Sequence, residues 1–183
     1  MEIPYTHGGD IYSRPIKMDY SANINPLGLP EGVKRELLCC VEENVCCIYP
    51  DSACRSLKMA LSEIHHVPKE WISCGNGAAD LIFALVAALR PRHALLLAPS
   101  FLEYSQALHL RGCETDSFML REDEDFSLDP FRLKEALFRA RAEKQPYDIL
   151  FLCNPNNPTG LPVKKEIVEE IGVVCKETGT WLA

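Results

Sequence analysis

A chain of 183 residues suits one domain or a little more, and a 47% hydrophobic fraction belongs to a globular protein, not a disordered one. The formal net charge of −7 leaves no basic field to hold a phosphate backbone, which argues against nucleic acid as the main partner while allowing a local site for a small anion. No apolar run approaches the roughly 20 residues that span a bilayer. The polar stretch of residues 1–10 lacks the build of a signal peptide, so the expectation is a cytoplasmic protein with no membrane partner.

Nine cysteines include the adjacent pairs Cys39-Cys40 and Cys46-Cys47. With no export signal, a disulfide framework is not expected. The C-x-x-C spacing of a zinc site is absent, so no metal is expected. The cysteines read as small buried hydrophobes.

In chain order, residues 1–30 are irregular. His7-Gly8-Gly9 places two glycines after a histidine, where backbone can approach a ligand closely, although taken alone the stretch reads first as an ordinary amino-terminal arm. Residues 31–43 read as a helix after Pro30, with Val33, Leu37, Leu38 and Val41 as its apolar face. Asp51 is placed to cap a helix over residues 52–66, in which Leu57, Leu61 and Ile64 recur at helical spacing. Residues 71–74 read as a short strand, Gly75-Asn76-Gly77-Ala78 as a turn, and residues 81–89 as an apolar helix. The free N–H groups and dipole at such a helix start favour an anion, typically phosphate. The glycine patterns of P-loops and of dinucleotide folds are absent, and a plain tight turn capped by Asn76 is the alternative.

Residues 94–98 form a second apolar strand, and Pro99-Ser100-Phe101 opens a helix that Gly112 ends. Phe101 sits at the strand-to-helix junction, where an aromatic can lie on a flat ligand or fill the core. Residues 114–120 follow as a strand. Asp129-Pro130 then supplies an N-cap and a proline at N1 for a helix to about residue 144. Residues 149–152 read as a buried strand, 163–178 as a helix, and 180–183 as the start of one more strand. Strands alternating with helices imply an α/β fold with a mostly parallel sheet and helices on both faces. Residues 1–47 lack that alternation and read as an arm plus a helix; residues 48–183 read as the sheet domain.

The loop between the last full strand and the helix at 163, Cys153-Asn154-Pro155-Asn156-Asn157-Pro158-Thr159-Gly160, is stiffened by two prolines. It lies at the carboxyl end of a strand, where open α/β sheets bind ligands, although its dipeptides are also common turn chemistry. Taken together, Ser21 to Gly28, Tyr49-Pro50-Asp51, Gly75 to Ala78, Pro99 to Tyr104 and Asn154 to Gly160 resemble the fold-type-I pyridoxal-phosphate enzymes of aminotransferase class I/II. Within that class the resemblance is strongest to the threonine-phosphate decarboxylase group of cobalamin synthesis, helped by His7-Gly8-Gly9. The histidinol-phosphate aminotransferase group comes next.

The resemblance implies the large cofactor-binding domain of such an enzyme, incomplete, with pyridoxal 5'-phosphate as cofactor. It implies that Asn76, Gly77 and Ala78 hold the cofactor phosphate, that Phe101 stacks on the ring, and that Asn157 hydrogen-bonds the ring hydroxyl oxygen. Tyr49 is implied to reach the phosphate in the neighbouring subunit of a homodimer. Asn23 is implied to meet the substrate carboxylate, and His7 and Gly8 to lie near the phosphate of a small phosphorylated amino acid. The implied reaction is decarboxylation of O-phospho-L-threonine to aminopropanol phosphate, with histidinol-phosphate-type transamination as the alternative. The family's ring-nitrogen aspartate and cofactor-anchoring lysine fall beyond residue 183, and Lys164 and Lys165 do not match that lysine. No catalytic residue is therefore expected within these 183 residues, and alone they are expected to be inactive. A truncated relic or binding fragment is the reading from another class.

Overall fold

The computed structural model describes residues 9–13 and 15–183. They form two compact units that divide between Arg55 and Ser56.

In the amino-terminal unit, irregular backbone is tied by short-range polar bonds. Ser21 Oγ accepts from the Gly9 amide at 2.8 Å and donates to Asp19 at 2.5 Å. Asn25 closes a turn by donating to Gly28 O at 2.9 Å and accepting from the Leu27 amide at 3.1 Å. Helix α1 (Glu31–Glu42) starts directly after Pro30, whose fixed φ of −57° suits the helix entry. The expected apolar face is there, but Val33, Leu37, Leu38 and Val41 are 47–65% exposed and no residue of α1 is buried. Asp51 does cap the next helix, yet not at residue 52. Its carboxylate accepts from the amides of Ala53 at 3.1 Å and Arg55 at 2.8 Å, while Cys54 turns through φ 50°. That turn consumes residues 52–54, so α2 (Arg55–His65) begins three residues later than its apolar spacing suggests.

The second unit carries all of α2 but Arg55, then α3 (Gly77–Leu89), β1 (His93–Ala98), α4 (Leu102–His109), β2 (Glu114–Met119), α5 (Pro130–Ala142), β3 (Ile149–Phe151), α6 (Lys165–Thr178) and β4 (Trp181–Leu182). The four strands are parallel in the order β2-β1-β3-β4. The strand expected at residues 71–74 does not form. Lys69–Trp71 is a single 3-10 turn, and Ile72, though extended at φ −103° and ψ 125°, joins no strand pairing. Extended backbone becomes a strand only when a neighbour completes its hydrogen bonds, so alternation begins at residue 93.

Both faces of the sheet are covered, as period-2 side chains in β1 and β3 require. Leu95 and Leu150 point to one face, packing with Leu133 and Leu137 of α5 and Ile171 and Val174 of α6. Ala94, Leu96, Ile149 and Phe151 point to the other, against Val86 of α3 and Ala107 and Leu108 of α4. Edge strand β2 is polar and mostly exposed, which discourages further pairing along it. Helix ends follow their sequence signals. Asp129 Oδ1 accepts from Phe131 N at 2.9 Å and Arg132 N at 3.2 Å, with Pro130 at N1. Gly112 and Gly179, at φ 68° and 79°, reverse the chain after α4 and α6 in a region that other residues enter at a cost. Among the described residues no helix is long and apolar enough to cross a membrane.

All nine cysteines are free, but only Cys113 and Cys175 are buried; Cys46 and Cys47 are exposed and the other five intermediate. The reading of all nine as buried hydrophobes is corrected on that point. Cys39-Cys40 and Cys46-Cys47 sit in a helix and a turn that bury nothing.

Two outcomes follow for the complete polypeptide. Leu137→Ala removes a side chain only 1% exposed from between α5 and α6, and should cost about 2–5 kcal/mol of stability, read as a lower urea midpoint at unchanged slope. Burial pushes the Cys113 and Cys175 thiols up to about 11, Cys113 with help from the Asp148 charge. Alkylation at pH 8 followed by mass spectrometry should therefore label Cys46 and Cys47 readily and spare Cys113 and Cys175 until denaturant is added.

Candidate functional site

The strand order fixes where a site can form. From β1 the chain moves outward to β2, then crosses back to β3 on the other side of β1. Loops leaving β1 and β3 thus diverge at their carboxyl ends, which opens a crevice at this switch point. Helix α3 leads through residues 90–92 into the amino end of β1. At about 1.5 Å per residue it spans roughly 20 Å, so its start lies back at the carboxyl edge.

At that start, Gly77 has φ +84° and donates to Gly75 O at 2.9 Å, a turn that favours glycine. Asn76 stands at the N-cap position, but its side chain caps nothing. Instead Asp80 Oδ2 accepts from the Asn76 amide at 3.0 Å. Helical geometry leaves the amides of Ala78 and Ala79 without carbonyl partners inside the helix. Asn76, Gly77 and Ala78 are exposed, and a Cβ on Gly77 would have no atom within 4 Å, so there is room for a ligand.

After β1, Phe101 occupies the residue before α4 and is partly buried. Its ring meets Tyr104 edge-on at 5.6 Å, and Tyr104 stacks on Phe151 of β3 at 4.5 Å and 16°. Phe101 is thus anchored through a second ring to the core face shared by α3 and α4. Burial, with the Cys153 thiol alongside, pushes the Tyr104 hydroxyl up and keeps it protonated at neutral pH.

After β3, the two asparagines of the pair part company. Asn157 is exposed, and its amide has no hydrogen-bond partner among the described residues. Asn156 is buried at 4% exposure. Its Oδ1 accepts from Ser100 Oγ at 3.1 Å, and its Nδ2 donates to Pro99 O and to Thr159 Oγ1, both at 3.0 Å. Asn154 holds the far limb of the loop, accepting from Val163 N at 2.9 Å and donating to Val163 O at 3.2 Å.

Of the expected site residues, the structure brings the loops of Phe101 and Asn157 together and sets the helix start Asn76–Ala78 on the same edge. Asn23 and Tyr49 belong to the other unit, where both are exposed, Tyr49 at 91%. His7 and Gly8 lie outside the described residues. Sequence reasoning missed Asn156, Ser100 and Tyr104. The polar residues just past the ends of two strands meet only once those strands are known to be neighbours. No group of His, Cys, Asp or Glu able to hold a metal occurs among the described residues. A mostly apolar cleft of about 270 Å³ borders the same loop, lined by Leu97, Leu128, Asn156, Leu161 and Lys164 among others.

A helix start with free amides, a buttressed aromatic and an unengaged amide fit a ligand that combines an anion, a flat ring and a hydrogen-bonding oxygen. The fold and this donor set define an α/β domain with a ligand crevice at its switch point. Residues 15–183 match the aminotransferase class I and II family, and the chain belongs to it. It is 41% identical over 180 residues to threonine-phosphate decarboxylase of Salmonella typhimurium, covering 93% of this chain and 46% of that one. It is 35% identical over 163 residues to histidinol-phosphate aminotransferase 1 of Carboxydothermus hydrogenoformans, covering 88% and 44%. Aspartate aminotransferase of Thermus thermophilus with maleate superposes with a TM-score of 0.77 at 22% identity, over 88% of this chain and 43% of that one, a likeness of fold alone. The chain therefore spans about half the length of the curated relatives it matches.

Proposed function

We propose that this chain forms the cofactor-binding part of a pyridoxal-phosphate enzyme acting on a small phosphorylated amino acid, with decarboxylation of O-phospho-L-threonine as the reaction. The observation that carries the reading is the crevice itself. Ser100 and Asn156 join the two loops at 3.1 Å, with Phe101 and Asn157 as their next residues and the start of α3 on the same edge. The 41% identity to a threonine-phosphate decarboxylase supports this substrate over histidinol phosphate, for which the 35% identity to an aminotransferase is the supporting observation.

In this reading, pyridoxal phosphate supplies an electron sink for charge developing at the substrate carbon. The free amides of Ala78 and Ala79 and the dipole of α3 would hold its phosphate, with the open turn at Asn76–Gly77 giving it room. The face of Phe101 sets the ring plane, and Asn157 donates to the ring hydroxyl oxygen, which favours the deprotonated form of that oxygen. Asn23, His7 and Gly8 serve the substrate. Tyr49 serves the site of a partner subunit, so the working protein is a homodimer. The lysine that anchors the cofactor and the aspartate at the ring nitrogen are supplied from outside these residues.

The deciding assay gives the complete polypeptide pyridoxal phosphate with phosphothreonine, and separately with histidinol phosphate and a keto acid. Carbon dioxide release in the first sustains the decarboxylase reading; amino transfer in the second replaces it. Asn157→Ala should weaken cofactor binding by roughly 1–3 kcal/mol, measured by equilibrium titration of the apoprotein; parent-like affinity would remove Asn157 from the site. Ala78→Glu separates folding from binding. An acidic residue in the first turn suits the helix dipole, so the melting temperature should hold or rise while cofactor affinity falls. Unchanged affinity would show that the phosphate lies elsewhere.

A further inference from the structure

In the two loops at the carboxyl edge, 99–101 and 152–164, Asn156 is the one buried polar side chain. We propose that it is a positioning residue. It clamps the loop bearing Phe101 to the loop bearing Asn157, so that stacking face and amide donor keep one fixed relation; the proposal rests on the pyridoxal-phosphate reading above.

Three features of the bonding carry it. First, two of its three side-chain bonds leave its own loop, reaching Ser100 and Pro99 across 56 and 57 residues of sequence. A residue that served its own turn alone would bond locally. Second, both N–H groups of the amide are engaged, on Pro99 O and Thr159 Oγ1, while the carbonyl takes Ser100. Rotating the amide by half a turn would set like against like at Pro99 O, so the bonds fix one orientation. Third, the backbone of Asn156 is itself held, donating to Leu161 O at 2.9 Å and accepting from Gly160 N at 2.6 Å. The side chain is thus a rigid strut on a rigid base. Each end of the strut lies one residue from a group assigned to the cofactor: Ser100 precedes Phe101, and Asn156 precedes Asn157.

The test uses hydrogen exchange, followed by mass spectrometry, on the complete apo polypeptide. It compares the parent, Asn156→Ala and Leu137→Ala, the last a destabilised control away from the crevice. Asn156→Ala should speed exchange in residues 99–104 by about tenfold, the effect of losing roughly one buried hydrogen bond, and Leu137→Ala should not do so selectively. In cofactor titrations well below each melting temperature, Asn156→Ala should raise the dissociation constant by about tenfold and shift the absorbance of the bound cofactor. Leu137→Ala should match the parent in both. Parent-like exchange at 99–104 in Asn156→Ala overturns the clamp. Faster exchange with unchanged affinity and spectrum overturns its positioning role. A parent that binds no pyridoxal phosphate, yet shows the loop released in Asn156→Ala, overturns the functional reading and leaves the clamp standing. If Asn156→Ala fails to fold, Ser100→Ala removes a single bond of the strut and must show the same changes at smaller size.

Discussion

Strands β1 and β3 are buried on both faces and paired side by side, with Leu96 opposite Phe151, and this pairing decides where their loops emerge. Because they are parallel, both loops leave by the same edge. Because β2 lies on one side of β1 and β4 on the far side of β3, the connections diverge and leave a crevice between them. The hydrocarbon that drives the pairing is divided between the faces: Leu95 and Leu150 to α5 and α6, Ala94, Leu96, Ile149 and Phe151 to α3 and α4. Moving β3 by one residue would exchange the two sets and strand both cores. Fixed register therefore carries directly into fixed placement of Ser100 and Asn156, a few residues past the ends of their strands.

The elements that periodicity and capping chemistry can encode locally were legible in the sequence. Asp129-Pro130 marks the start of α5, Gly112 marks the end of α4, and the apolar runs mark β1 and β3. Where the outcome hung on a distant partner, local reasoning failed. Residues 72–74 have an extended pattern but no neighbour in the sheet, so no strand forms there. The start of α2 was missed for a local reason: it hung on how far one carboxylate could reach, from Asp51 to Arg55.

The candidate site divides in the same way. Asn76–Ala78 and Phe101 could be picked out because a strand-turn-helix pattern and a junction aromatic are local features. The loop at 153–160 could be picked out too, and the family resemblance singles out Asn157 in it, but the loop's turn chemistry alone does not give the division of labour inside it. Pro155, Asn156, Asn157 and Pro158 read alike as turn chemistry. Only the position of Pro99 and Ser100 on the neighbouring strand's loop decides which asparagine is buried, and no pattern in residues 153–160 contains that information.

That division has a physical logic. An amide buried with all its groups partnered costs little, whereas one left unpartnered costs the full desolvation of the group. Asn156 satisfies the first condition, and an apolar residue in its place would leave Pro99 O, Ser100 Oγ and Thr159 Oγ1 to find other partners in a part-buried setting. An apolar contact there would also be non-directional, free to slide along the loop surface. Three directed bonds admit one geometry. The adjacent Asn157 can then stand exposed with its amide uncommitted, because its backbone is held from the residue before it. A rigid, fully bonded asparagine beside a free one is how a loop outside any strand or helix can present a single polar group at a fixed place, while Tyr104 and Phe151 brace Phe101 from the core side.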